Sequence, residues 1–169
     1  MNFLDHKNQR VGIFIDTQNL YHSAKHIYQA KVNFKVLVSS LTRKRQLIRA
    51  IAYVIRTEDT VGEKAFFEAL QKENIELRAK ELQVYPNGVK KGDWDVGIAV
   101  DAIRMAPSFD VVILVTGDGD FVPLVEYLKW GLGKKVEVAA FSKTCSTVLR
   151  ESAELFIQLE RIPKILIRR

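Results

Sequence analysis

The sequence predicts an α/β fold, with one domain over residues 1–169 and a five-stranded parallel sheet covered by helices on both faces. Strand and helix patterns alternate five times, and the segments between successive strands have the length that parallel crossovers require. The run Val111–Val115 is apolar throughout, as in a parallel strand that is buried on both faces. A chain of 169 residues with no linker or internal repeat fits one domain.

The first part of the chain supplies two strands and three helices. Residues 11–15 form an apolar strand that ends at Asp16, and a helix follows from position 17 or 18 to about 28. A second helix is predicted over 34–41, and a second strand over 47–55. Thr60 and Glu63 match a capping box, which predicts that a helix begins there and continues over 61–73.

The middle of the chain supplies a more polar strand and a helix with little polar surface. The strand is predicted over 75–85 and is closed by the turn signal Pro-Asn-Gly at 86–88. In the helix predicted over 93–105, apolar residues lie almost all round the axis, so we expect it to be well buried. Pro107 ends this helix.

The last predicted elements complete the core and leave a tail. The strand over 111–115 is followed by a helix over 120–130, and the strand over 135–141 alternates in polarity as an edge strand would. The core is therefore expected over about 11–141, with a C-terminal helix and a basic apolar tail over about 146–169. The tail has no evident place in a five-stranded core. We expect it to pack on a neighbouring subunit, as a possible homodimer, or to pair at a sheet edge.

Composition narrows the class of protein and of partner. The chain is 47% hydrophobic and 27% charged, as in ordinary soluble domains, and its net charge of +6 favours an anionic partner. No segment reaches the roughly 20 apolar residues that span a bilayer, so a cytoplasmic protein with no membrane partner is expected. The single Cys145 cannot form an intrachain disulfide, and a free buried thiol is its expected role.

Carboxylates stand where predicted strands end. Asp16 follows the first strand, and Asp118 follows the fourth within the sequence T-G-D-G-D, whose two glycines permit unusual backbone angles. If these strands are neighbours, as in a 3-2-1-4-5 order, the two carboxylates face each other across the ligand-binding crevice. Asp95 lies where a helix begins at the same edge, and Asp101 lies nearly two turns further along that helix. The candidate cluster is Asp16, Asp95, Asp118 and Asp120, with Asp101 behind it.

Several carboxylates at one place repel each other unless a cation binds them. Oxygen ligands suit Mg²⁺ or Mn²⁺, and such ions assist phosphoryl chemistry. Each aspartate could instead cap a helix or a turn, but their convergence at three element ends favours a metal site. No phosphate-binding P-loop, dinucleotide fingerprint or nucleophile-elbow serine is present in the sequence.

Three motifs carry a resemblance to a known family. They are F-I-D-x-x-N-L at 14–20, K-G-x-x-D-V at 91–96 with Asp101 six residues after Asp95, and T-G-D-G-D-F-x-P-L at 116–124. In this order and spacing they resemble the NYN domain and, within it, the LabA-like branch of the PIN-like nuclease superfamily. Asp93 and Trp94 separate K-G from Asp95, where many relatives have one residue; Asp95 is preferred because its spacing to Asp101 fits the motif.

The resemblance implies a PIN-like, Rossmann-like sheet in the order 3-2-1-4-5 and hydrolysis of RNA phosphodiester bonds by a metal-activated water. By matching position, it implies catalytic roles for Asp16, Asp95, Asp118, Asp120 and Asn19, and a Mg²⁺ or Mn²⁺ site formed by the four aspartates with Asp101. The substrate is expected to be single-stranded RNA, with Lys90 and Lys91 contacting its phosphates. Trp94 is interpreted either as a base-stacking residue near the mouth or as a core residue.

Two other functions fit the same residues. One is a catalytically weak or inactive module of this fold that binds RNA or a protein and acts as a regulator. The complete acidic set argues against this function, because loss of catalysis relaxes the need for clustered carboxylates. The other is metal-dependent hydrolysis of a small phosphate ester, which the flanking lysines make less favourable than action on a polymer.

Overall fold

The computed structural model describes residues 7–57 and 61–168 and contains a six-stranded parallel sheet. Its order is β3-β2-β1-β4-β5-β6, so the predicted order of the first five strands is confirmed. The predicted number of five is wrong, because a sixth strand pairs in parallel with β5. The strands are β1 (Arg10–Asp16), β2 (Gln46–Arg56), β3 (Glu76–Glu81), β4 (Val111–Val115), β5 (Lys135–Ala140) and β6 (Leu155–Gln158).

Helices connect the strands as crossovers. They are α1 (Thr17–Tyr28), α2 (Phe34–Thr42), α3 (Val61–Lys72), α4 (Asp95–Met105), α5 (Val122–Glu126), which continues into a π-helical turn (Tyr127–Gly131), and α6 (Thr147–Ser152). Short 3₁₀ turns occupy Ala106–Ser108, Gly119–Phe121, Ser142–Thr144 and Leu159–Arg161. The predicted capping residue Thr60 lies outside the described residues.

The sheet separates two hydrophobic layers. Alternate residues of β1 point to opposite faces: Ile13 and Ile15 pack with α1, α2 and α3, whereas Phe14 packs with α4, α5 and α6. All five residues of β4 are buried, as predicted for a central parallel strand. The strands β1 and β4 pair in parallel, from Val11 opposite Val111 to Ile15 opposite Val115, so the residues that follow both strands meet at one edge of the sheet.

The strand β5 is not an edge strand, which corrects the prediction made from its alternating polarity. Its polar residue Glu137 is completely buried and accepts hydrogen bonds from Arg43 and Arg45 at 2.8 Å. The alternation therefore reflects a buried ion-pair network, while β6 covers the outer side of β5. A glutamate in this position is tolerated because basic groups pair with it.

The C-terminal tail packs on its own chain. Leu166–Ile167 pairs antiparallel with Lys31–Val32, and both Leu159 and Ile165 are buried in the core beside α1 and α2. These contacts bury part of the apolar surface of the tail within its own chain, while Ile167 stays 50% exposed. The homodimer remains a prediction.

The third strand and the fourth helix differ from their predictions. The predicted strand over 75–85 is two elements: β3, and a short hairpin in which Gln83–Val84 pairs with Lys90–Lys91. The helix α4 buries one face only; Val96 is 73% exposed, and Val100 and Ile103 are exposed as well. The prediction that this helix is well buried is therefore wrong. In the described part of the chain, no helix is long and apolar enough to cross a membrane.

Candidate metal centre

Three carboxylates meet at the carboxyl edge of the sheet. Oxygen atoms of Asp95, Asp118 and Asp120 all lie within 4.8 Å of one another. Asp118 and Asp120 belong to the turn that follows β4, and Asp95 is the first residue of α4. Asp95 and Asp118 are half-buried and Asp120 is exposed, so solvent and ions have access to the group. This is the edge at which open parallel sheets bind their ligands.

Asp16 lies beside this group, at the end of the neighbouring strand β1. One of its oxygens accepts a hydrogen bond from the Thr116 hydroxyl at 2.9 Å, and the other accepts the Asn19 backbone N–H at 3.3 Å, which caps α1. Burial raises the pKa of Asp16 and the negative charge of Asp118 raises it further, while these two hydrogen bonds lower it. Asp16 is therefore fixed in orientation and close enough to Asp118 for the two charges to interact.

The carboxylate-bearing turn, residues 116–120, is held by short polar contacts. The Asn19 side-chain oxygen accepts the Gly117 N–H at 2.9 Å, and the Thr116 hydroxyl accepts the Asp118 N–H at 3.2 Å. The Asp120 N–H donates to Asp118 at 2.9 Å. The amide oxygen of Asn19 thus positions the turn that carries Asp118. Thr116 bridges Asp16 and Asp118. Thr116 was not among the site residues predicted from the sequence, although its position between the end of β4 and Asp118 could have indicated this role.

The two glycines of this turn are explained by lack of space. A Cβ atom on Gly117 would lie 2.9 Å from the Thr144 carbonyl oxygen, and one on Gly119 would lie 2.8 Å from Ser146 Oγ. Neither glycine has a positive φ, so the interpretation that they permit unusual backbone angles is wrong. Their role is to let the segment 142–146 pack directly against the turn, where the Ser146 N–H donates to the Gly117 carbonyl at 2.9 Å.

The electrostatics of the cluster favour a bound cation. Burial raises the pKa of Asp95 to about 6, and the negative charges of Asp118 and Asp16 add to this effect. Within residues 7–57 and 61–168, no lysine, arginine or histidine forms an ion pair with any of the four clustered aspartates. Uncompensated carboxylate oxygens of this kind are suitable ligands for Mg²⁺ or Mn²⁺. The residues present therefore fit a divalent ion.

Asp93 has a different position from Asp95. It is exposed, and its side chain accepts the Asp95 N–H at 3.3 Å in a local turn that precedes α4. The group of three carboxylates includes Asp95 and not Asp93.

The structure does not bring Asp101 into the cluster. Its buried carboxylate accepts hydrogen bonds from the Tyr53 hydroxyl at 2.9 Å and from Arg78 and Arg104 at 2.8 Å each. Burial, together with the adjacent carboxylate, raises the pKa of Tyr53, which keeps its phenol protonated and able to donate. Both oxygens of the Asp101 carboxylate are thus engaged by hydrogen-bond donors of the protein, which indicates a structural role for Asp101.

Trp94 is a core residue. Its indole N–H donates to the Val54 carbonyl at 2.9 Å, and the ring packs against Tyr53 and Ile98 beneath α4. Lys80 lies over this ring, 4.3 Å from its centroid. The ring is therefore not presented to solvent as a stacking surface.

Lys90 and Lys91 lie on the exposed hairpin. The hairpin follows the carboxyl end of β3 and leads into α4, so it stands at the same edge of the sheet as the aspartates. Both side chains are exposed. The hairpin therefore brings two positive charges to the edge of the sheet that carries the aspartates.

The chain is similar in sequence to two known proteins. The chain is 24% identical to the low amplitude and bright protein LabA of Synechococcus elongatus over 160 residues, which cover 90% of this chain and 85% of LabA. It is 37% identical to an uncharacterized protein of Methanocaldococcus jannaschii over 73 residues, covering 42% of this chain and 30% of that protein.

A solved structure has the same fold. The crystal structure of a protein of unknown function from Vibrio parahaemolyticus superposes with a TM-score of 0.87 and 31% identity, covering 98% of this chain and all of that one. Residues 10–160 match the NYN domain, a span that includes every strand of the sheet and every clustered aspartate. The resemblance predicted from the three motifs is confirmed, and the chain belongs to the NYN domain family.

Proposed function

We propose that this protein is a metal-dependent ribonuclease that hydrolyses phosphodiester bonds of single-stranded RNA. The observation that supports this most strongly is the convergence of Asp95, Asp118 and Asp120 within 4.8 Å at the carboxyl edge of an NYN fold. A fourth carboxylate, Asp16, stands beside them. A net charge of +6 around an acidic centre suits a polyanionic substrate that approaches through a bound cation.

In this proposal, Asp95, Asp118 and Asp120 hold Mg²⁺ or Mn²⁺, with Asp16 completing the negative surface. When bound, such an ion lowers the pKa of a coordinated water and neutralises charge on the phosphate. The pKa of Asp95 is raised to about 6 because its negative charge is unfavourable in the metal-free cluster. A bound cation would favour the charged carboxylate, so metal binding should release a proton from Asp95.

The chain's other residues position the reacting groups. Thr116 and the Asn19 backbone N–H orient Asp16, and the Asn19 side chain fixes the backbone at Gly117. These contacts hold the carboxylates in place without a large rearrangement on binding, which is the usual requirement for electrostatic stabilisation of a transition state. Lys90 and Lys91 would bind phosphates of the RNA that lie next to the phosphate being hydrolysed.

The test is cleavage of a labelled single-stranded RNA by the purified protein with Mn²⁺, compared with EDTA and with Asp118→Asn. Asp110→Asn is the matched control. Asp110 precedes the same strand, β4, at the opposite edge of the sheet and forms an exposed ion pair with Arg10, a contact worth at most about 1 kcal/mol. We expect metal-dependent cutting that Asp118→Asn abolishes and Asp110→Asn retains.

Absence of cutting by the wild type, with RNA binding unaffected by EDTA, would instead identify a binding module of the same fold. Equal cutting by wild type and Asp118→Asn would point to a contaminating nuclease.

A further inference from the structure

An apolar groove leads away from the carboxylates between α4 and α5. It is open to solvent and has a volume of about 350 Å³, near the lower end of the range of small-molecule sites. Val96, Ala99 and Ile103 form the wall on α4, and Pro123, Leu124 and Tyr127 form the wall on the other side. Asp95 and Asp120 stand at its end, so the groove and the metal centre share two residues. The groove also explains why one face of α4 is apolar and yet exposed.

Tyr127 is held in place as an aromatic wall of this groove. It is 49% exposed, and it begins the π-helical turn, in which the Leu132 N–H donates to its carbonyl at 3.0 Å. A Cβ on Gly131 would lie 2.9 Å from the Tyr127 ring, so the ring rests against the backbone of its own turn. Isolated π-helical turns are frequent at functional sites. A ring fixed in this way loses little conformational freedom when another flat group stacks on it.

The distribution of charge in this region matches that of a nucleotide. Charge is concentrated at the carboxylate end, where a cation would bind a phosphate, while the remaining walls are apolar and carry one exposed aromatic ring. A nucleotide is divided in the same way, into a charged phosphate and a flat, uncharged base. A second protein chain seated here would bury Asp95 and Asp120 without supplying the positive charge that a cation and phosphate bring.

We propose that this groove is a nucleobase subsite, in which Tyr127 stacks on an unpaired base next to the phosphate bound at the carboxylates. The inference rests on the proposed ribonuclease function and adds a source of selectivity to it. Only an unstacked base can enter the groove, so single-stranded RNA is bound in preference to a duplex. Every base has a flat face, so the subsite requires a base but discriminates weakly among the four.

The test uses a fluorescein-labelled RNA decamer and a series in which one abasic residue replaces each position in turn. Binding is measured by fluorescence anisotropy with Ca²⁺, and gels verify that the RNA stays intact. Base stacking on an aromatic ring is worth roughly 5-fold to 150-fold in affinity. We expect wild type to lose about 10-fold when the abasic residue falls at one or two adjacent positions, and to be insensitive elsewhere.

Three variants identify the ring responsible. Tyr127→Ala should bind the intact decamer about 10-fold more weakly and should lose the dependence on abasic position, whereas Tyr127→Phe should retain both. Trp130→Ala is the matched control, because Trp130 is 82% exposed on the same turn and does not line the groove. Circular dichroism verifies that each variant is folded.

The possible outcomes separate this subsite from the ribonuclease itself. If the protein cuts RNA but its affinity does not depend on the position of the abasic residue, the subsite is overturned and the ribonuclease function is not. If the affinity depends on this position but no RNA is cut, the ribonuclease function is overturned and binding of a base in the groove is not. A Tyr127→Ala variant that keeps the positional dependence would also overturn the subsite. The subsite would also be overturned if the wild type is a dimer and Tyr127→Ala is a monomer with unchanged RNA binding, because the groove would then be a subunit interface. Absence of any RNA binding would overturn both proposals.

Discussion

Asp101 offers the sharpest test of how the acidic residues divide between structure and chemistry. Its carboxylate is buried and accepts three hydrogen bonds, so we expect Asp101→Ala to destabilise the fold. Loss of the acceptor leaves the buried Tyr53 hydroxyl unpaired, at a cost of about 2 kcal/mol. Arg78 and Arg104 are 42% and 62% exposed, so solvent replaces most of what they lose, and together they add about 1 kcal/mol.

The expected decrease in the free energy of unfolding is therefore about 3 kcal/mol. It is measured by urea denaturation in EDTA, where the midpoint should fall while the slope stays unchanged. A decrease below about 1 kcal/mol would refute the reasoning, because it would mean that Tyr53 finds another partner or is not desolvated.

A second measurement asks whether Asp101 also binds metal. Asp101→Asn keeps an oxygen that can accept from Tyr53, so this variant should remain folded. We expect Mn²⁺ to raise its melting temperature as much as that of the wild type, whereas Asp118→Asn should lose most of the increase. If Asp101→Asn loses the Mn²⁺ effect while folded, Asp101 is a metal ligand, as the sequence motif predicted.

Two further predictions concern the pH dependence of the site and the packing beneath it. Because the pKa of Asp95 is raised to about 6 from 3.8, the metal-free fold should lose stability as pH rises through this interval. The affinity for Mn²⁺, measured by calorimetry, should increase from pH 5 to pH 7 as Asp95 loses its proton. An affinity that does not change with pH would contradict this prediction. Gly97→Ala should lower the free energy of unfolding by about 1–2 kcal/mol, since its Cβ would overlap the Trp94 ring. Gly62→Ala, with nothing near its Cβ, should raise the free energy of unfolding by about 0.5 kcal/mol. If urea unfolding shows that Gly97→Ala also stabilises the fold, helix propensity and not packing decides its effect.

The strand order and the meeting of Asp16 with Asp118 were predictable because they follow from a strong local signal and a simple topological rule. An unbroken apolar run identifies a buried parallel strand, and the carboxyl ends of adjacent parallel strands share one edge. The position of Asp95 followed from the start of a helix at that same edge. These inferences did not depend on any contact between distant side chains.

The features that were missed depend on partners far away in the chain. Glu137 looked like the outward-facing residue of an edge strand, because its partner Arg45 lies 92 positions earlier. The sixth strand has only four residues, each partly buried, so it lacks the long apolar signal of β4. The apolar face of α4 indicated burial, but hydrophobicity alone does not reveal whether protein or a ligand covers a surface.

The packing of segment 142–146 against the carboxylate-bearing turn bears on where a minimal functional fragment can end. A fragment cut at residue 141 would retain every aspartate discussed above, yet the turn at Gly117 and Gly119 would lose the surface that contacts it. The same cut would remove β6 and leave the outer edge of β5 with unpaired backbone groups, which could pair with a strand of another molecule. We therefore expect residues beyond 141 to keep the centre ordered and to protect β5 from intermolecular pairing, although they carry none of the proposed chemistry.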